Sequence, residues 1–200
     1  MFAGFDTTST TMSWLIYLLA RHPDKQTALY EELVSAMGRE ETPNADTVAT
    51  LPFLRACVNE AMRLMPAVTD TVRMPTRDDV LPASKTFVPK GELVVPFHAV
   101  AMRDRSFWGS DADDFVPERW LDPSLKHRLD ATPGAFTPFA LGRRNCIGKD
   151  FAMHSLLLAT AAVFRAHEFQ WPTGQSPVET VHVVVMKAKT PPRYIVKRRV

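Results

Sequence analysis

Two cysteines in 200 residues are too few and too far apart to staple a fold. Cys57 and Cys146 form neither a C-x-x-C pair nor a disulfide framework, which excludes a disulfide-linked partner and makes a reduced intracellular setting the expectation. Structural zinc is not expected either, because the six histidines show no H-E-x-x-H and no close Cys/His spacing, and each reads as a surface or packed side chain. Charge of one sign is also missing. With 24 Lys+Arg against 22 Asp+Glu, the net +2 gives no reason to expect nucleic acid as a partner. Long apolar runs are absent too: Met12 to Ala20, interrupted by Ser13, falls well short of the ~20 residues a membrane helix needs. No cleavable signal, internal repeat or low-complexity segment is visible.

What is present is globular material, 46% hydrophobic and long enough for one packed domain. Apolar spacing predicts helices over 8–21 and from Pro23 to Gly38, with Pro23 suited to a first helical turn. A third helix is expected over 47–64, ending before Met65-Pro66, with Cys57 as a core thiol among Leu54, Val58 and Ala61. Prolines 66, 75, 82, 89 and 96 then punctuate short β-leaning runs, and Pro89-Lys90-Gly91 reads as a hairpin turn between two of them. From 103 to 137 the chain looks irregular and too long for an ordinary connection, so it should be functional or held by something specific. Helix returns over 148–167, apolar nearly all round and therefore expected to be buried on most sides. Two weak strands separated by Pro191-Pro192 close the chain. After Met186 the tail carries Lys187, Lys189, Arg193, Lys197, Arg198 and Arg199 and no acid, which reads as a solvated end or as a docking patch.

Cys146 occupies the distinctive position. It lies two residues before Gly148, at the mouth of the apolar helix, where unpaired N–H groups and the positive end of the helix dipole favour a thiolate. Arg143, Arg144 and Lys149 act in the same sense. With no histidine nearby in sequence a nucleophile has no general base, so a soft metal ligand and a simply buried thiol remain as readings. Gly142 and Gly148 would let the backbone approach a flat body, with Phe139 covering the sulfur from the side.

FALGRRNCIG, residues 139–148, resembles the haem-binding signature F-x-x-G-x-R-x-C-x-G of the cytochrome P-450 superfamily at every fixed position. The resemblance implies a mainly α fold with small β-sheets (α+β), the chain forming the C-terminal haem-binding half as a single partial domain over 1–200. It implies haem b (iron protoporphyrin IX) with Cys146 as the proximal iron ligand, Arg144 on a propionate and Phe139 shielding the sulfur. An iron-bound thiolate pushes electron density toward the opposite ligand, which favours O–O cleavage. Other motifs follow in order. Glu60 and Arg63 resemble the Glu-x-x-Arg element, although an i, i+3 pair alone is also what any exposed helix carries. FVPERW, residues 115–120, resembles the later Pro-Glu-Arg element, whose arginine, here Arg119, would join Glu60 and Arg63 in a buried structural network. Arg73 stands where many members place a second propionate contact. AGFDTT, residues 3–8, resembles the segment crossing the distal haem face, where Gly4 leaves room for dioxygen and Asp6 and Thr7 deliver protons. The residues alone leave Asp6 or Thr7 as a helix cap.

The implied activity is a monooxygenase inserting one oxygen atom of O2 into a small hydrophobic organic substrate, with electrons from NAD(P)H through a reductase or ferredoxin-type redox partner. Ala67 to Thr71 and Val184 to Met186 would border the substrate, and Arg143 and Lys149 would face the reductase or only solvent. Met102 stands where a histidine is common in the family, and Ser155 where an acid is frequent. The family is usually more than twice this long, so the N-terminal half and any membrane anchor are expected to be missing; full-length relatives are often held at the endoplasmic reticulum. The competing expectation is a truncated, non-catalytic interaction fragment with impaired haem binding, exposing Trp14, Leu15, Leu18 and the helix after Cys146.

Overall fold

The computed structural model describes residues 2–38 and 42–199. Helices dominate it, and the strands form three separate two-stranded antiparallel sheets. Helix α1 (Phe2–Arg21) ends where His22 and Pro23 follow; its second half is buried through Trp14, Leu15, Leu18 and Leu19, whereas Phe5 in the first half is exposed. Helix α2 (Pro23–Met37) starts on proline, whose missing N–H costs nothing in a first turn. Its buried stripe is Leu29, Leu33 and Met37, plus Gln26.

The helix expected over 47–64 is two. Helix α3 (Ala45–Ala49), capped by the Asn44 side chain on the Thr47 N–H, breaks at Thr50-Leu51, and α4 (Pro52–Leu64) starts afresh. Pro52 cannot continue an incoming helix. The Glu32 carboxylate of α2 supplies the new N-terminus, accepting from the Phe53 and Leu54 N–H groups at 2.8 Å each. Leu54, Cys57, Val58 and Ala61 of α4 then pack with α1, α2 and Leu156, Leu157, Ala161 and Phe164 of the last helix into the main core.

The Pro89–Glu92 turn forms, but its flanks do not pair with each other. Strand β2 (Phe87–Val88) pairs with the earlier β1 (Asp79–Val80), while Val94 and Phe97 bridge to Arg73 and Asp70. The turn itself is tied upstream as well, Gly91 N–H donating to Pro75 O at 3.0 Å. Nor is 103–137 irregular throughout. After α5 (His98–Ala101) come α6 (Arg105–Trp108) and α7 (Pro123–Ala131), with 3-10 turns at Pro117–Leu121 and Pro133–Ala135. Asp104 and Asp122, which contribute to the loop-like composition, are N-caps that accept from the Ser106 and Ser124 N–H groups at 2.9 Å.

The last helix, α8 (Lys149–Ala166), is buried along one face only. Phe151 is 78% exposed, which corrects the expectation of burial on most sides. Strand β3 (His167–Gln170), absent from the expectation, follows at once and pairs with β6 (Ile195–Arg198); β4 (Thr180–His182) pairs with β5 (Met186–Ala188). Gln26 locks α1, α2 and β3 together, donating to Leu19 O and Phe169 O and accepting from Phe169 N–H. Among the described residues no helix is long and apolar enough to cross a membrane.

A candidate thiolate cleft and its buried support

A cleft of about 380 Å³ opens between the first half of α1 and the loop that carries Cys146. Gly4, Thr7 and Thr11 form one wall, Ala67, Val68, Thr71 and His98 another, and Phe139, Cys146 and Phe151 the wall facing α1. Local backbone bonds shape the cysteine loop. Ala140 and Gly142 both adopt positive φ (57° and 74°), Ala140 N–H donates to Thr137 O at 3.0 Å, and Cys146 N–H donates to Phe139 O at 2.9 Å. Gly142 suits its conformation for want of a Cβ. A Cβ at Gly148 would lie 3.9 Å from the Cys146 sulfur, an ordinary van der Waals contact.

Cys146 is exposed, whereas Cys57 is wholly buried in the core, where burial raises its thiol well above the usual value. The donor set fits a flat iron-bearing macrocycle held by a single thiolate. Its thiol sits on an apolar cleft wall, nothing stands within 4 Å of a Cβ built on Gly4 or Gly142, and Arg144 supplies a cation on the wall. No cluster of three His, Cys, Asp or Glu side chains suited to a metal ion exists among the described residues.

The other site residues are distributed unevenly. Thr7 lines the cleft and its hydroxyl donates to Ala3 O at 2.7 Å. Helix α1 runs unbroken through Asp6 and Thr7, so neither is an N-cap. Asp6 lies off the cleft lining and accepts from Lys187 of β5 at 2.6 Å, a partner nothing in the sequence signals. Arg73 is also off the lining, donating to Val72 O at 2.9 Å. Ala67, Val68 and Thr71 line the cleft, but Val184 to Met186 do not; Met186 touches this region through its N–H, which donates to Ala67 O at 2.8 Å. Arg143 and Lys149 are exposed beside the cysteine.

Behind the cleft lies a buried ionic network. Glu60 and Arg63 are both fully enclosed, and Arg63 Nε and Nη2 donate to the two Glu60 oxygens at 2.8 Å each. Arg63 also donates to the carbonyls of Met102, Ala112 and Asp114. Arg119 Nε donates to Glu60 Oε1 at 2.9 Å, and Val116 N–H and Trp120 Nε1 fill the remaining acceptor positions. Although burial opposes it, the Glu60 carboxylate raises the Arg119 pKa above its ordinary value. Met102, standing where a histidine is common in the family, is fully buried and takes part through its backbone oxygen.

A cytochrome P450 family model matches residues 1–198. The chain is 36% identical over 180 residues to the mitochondrial 25-hydroxyvitamin D-1 alpha hydroxylase of Homo sapiens, covering 89% of this chain and 34% of that protein. It is 35% identical over 170 residues to cytochrome P450 3A6 of Oryctolagus cuniculus (85% and 33%). To the mitochondrial 1,25-dihydroxyvitamin D(3) 24-hydroxylase of Mus musculus it is 34% identical over 185 residues (92% and 34%). The chain thus spans about a third of the length of the curated relatives it matches.

Proposed function

We propose, from the premise that this chain belongs to the cytochrome P450 family, that it carries the haem-ligating and proton-delivering residues of a haem-thiolate monooxygenase. The reaction inserts one oxygen atom of O2 into a small hydrophobic organic substrate, using electrons from NAD(P)H delivered by a reductase or ferredoxin-type partner. One observation carries the reading: a solvent-accessible thiol, Cys146, shares an apolar cleft with Gly4 and Thr7 of the facing helix.

Haem, when bound, supplies the iron at which O2 is activated. Cys146 would be its protein ligand, with Phe139 beside the sulfur, Gly142 and Gly148 leaving room for close approach, and Arg144 and Arg73 as the cations for its propionates. Thr7 holds its hydroxyl proton on Ala3 O and keeps its oxygen lone pairs as acceptors for a proton in transit. Asp6, one residue away and held by Lys187, is the carboxylate that exchanges protons with solvent behind it. Ala67 and Val68 exclude water where an apolar substrate would sit. Arg143 and Lys149 present positive charge to an acidic redox partner.

The interaction-fragment reading loses its footing in the core. Trp14, Leu15 and Leu18, which it needed exposed, are buried, as are Leu156, Leu157 and Phe164 of α8. The deciding experiment is to express the chain with haem, reduce it, add carbon monoxide and record the absorption spectrum. A thiolate-type Soret band that Cys146→Ala and Cys146→His abolish is the expected result. No band, or one indifferent to Cys146, overturns the proposal.

A further inference from the structure

His98 is a buried titratable side chain to which the proposed chemistry assigns no part. It opens α5, is 9% exposed, lines the cleft, and places its two ring nitrogens on hydroxyls from separate stretches of chain. Nε2 lies 3.1 Å from Thr71 Oγ1 and Nδ1 lies 2.8 Å from Thr137 Oγ1. A neutral imidazole has one N–H and one lone pair, and a hydroxyl serves as donor or acceptor, so one tautomer satisfies both contacts.

Each hydroxyl belongs to a different part of the cleft. Thr71 sits on the Ala67–Thr71 wall, between Asp70 and Arg73, which bridge to Phe97 and Val94. Thr137, itself buried, is the base of the cysteine loop: its carbonyl accepts from Ala140 N–H, and the next turn closes through Cys146 N–H on Phe139 O. The imidazole therefore stands between the wall proposed to meet substrate and the loop that presents the thiol. Burial, and next the Arg73 charge, hold its pKa below the ordinary 6.5, with Asp70 opposing, so the link adds no charge to the cleft near neutral pH.

We infer that His98 is a positioning residue that ties the Thr71 wall to the Thr137–Cys146 loop and so sets where the Cys146 thiol stands in the cleft. The inference rests on the reading of this cleft as the functional site, and its test separates the two. Hydrogen exchange is followed on residues 1–200 without haem, in the wild type, His98→Leu and His98→Gln. Leucine removes both hydrogen bonds, while glutamine keeps a donor and an acceptor. The expected result is exchange at the Ala140 and Cys146 amides that is ~2- to 10-fold faster in His98→Leu, the factor matching one ordinary net hydrogen bond. Glutamine should restore it in part, and the Leu33 amide in α2 should not change. Equal acceleration at Leu33, or none at Ala140 and Cys146, overturns the inference whatever the haem spectrum shows. In the haem-loaded chain, a loss of thiolate-type Soret intensity in His98→Leu that glutamine recovers supports it further. A wild-type band with no such loss overturns it and leaves the monooxygenase proposal standing.

Discussion

The Glu60 network and the Cys146 loop are joined by α4 and the segment after it, yet they are built on opposite terms. Every Glu60 oxygen is occupied and both of its arginines are enclosed or nearly so, whereas Cys146, Ile147 and the arginines before them are exposed. The lesson is a division of labour. A buried charge is tolerated only when all its partners are present, so the network is rigid by necessity. The Cys146 thiol, proposed above as an iron ligand, is accessible, and its loop is shaped by backbone bonds and glycines rather than by packing around the sulfur.

The largest expected effect tests the closed side. Glu60→Ala leaves Arg63 buried without its carboxylate and should destabilise the fold by about 3–5 kcal/mol in chemical denaturation. A loss below ~1 kcal/mol, the range of exposed pairs, would mean that the network is not closed. Next, the two thiols sharpen the contrast. Cys57→Ser places a hydroxyl in the apolar core and should cost about 1–3 kcal/mol, whereas Cys146→Ser should stay within ~0.5 kcal/mol, as surface changes do. Alkylation of the native chain should modify Cys146 and spare Cys57, whose thiol burial holds protonated. Comparable labelling of both would break the comparison.

The smallest effect concerns pH and lies at the base of the cysteine loop, at His98. Its folded pKa is below 6.5, so the folded state binds fewer protons there than the unfolded state. The stabilisation is present above pH 6.5 and is lost as pH falls through the folded value. Stability measured across that window should therefore fall more gently in His98→Gln than in the wild type, and parallel curves would contradict the assignment.

Much of this was legible in the sequence, for identifiable reasons. The cysteine loop is a continuous run, so its residues are neighbours in space because they are neighbours in the chain. Glu60 and Arg63 share a helical face by spacing alone. Arg119 needed the family resemblance, since no local rule brings residue 119 to residue 60. The errors have physical causes as well. Pro52 and a carboxylate from α2 split a helix whose apolar pattern runs on, capping aspartates passed for loop, and the apolar turn of α8 at Phe151 lies on the cleft instead of in the core. His98 and Lys187 carried no local signal at all. His98 meets Thr71 and Thr137 across 27 and 39 residues, and Lys187 meets Asp6 across 181.

The sequence by itself determined the residues of the cysteine loop, the Glu60–Arg63 pairing and the family, because each depends on residues close in the chain or on the order of short motifs. Only the tertiary structure decided which hydroxyls share the His98 ring, which lysine holds Asp6, and which apolar faces are covered. Those contacts follow from how helices pack, and packing joins residues whose separation along the chain encodes nothing about their distance in space.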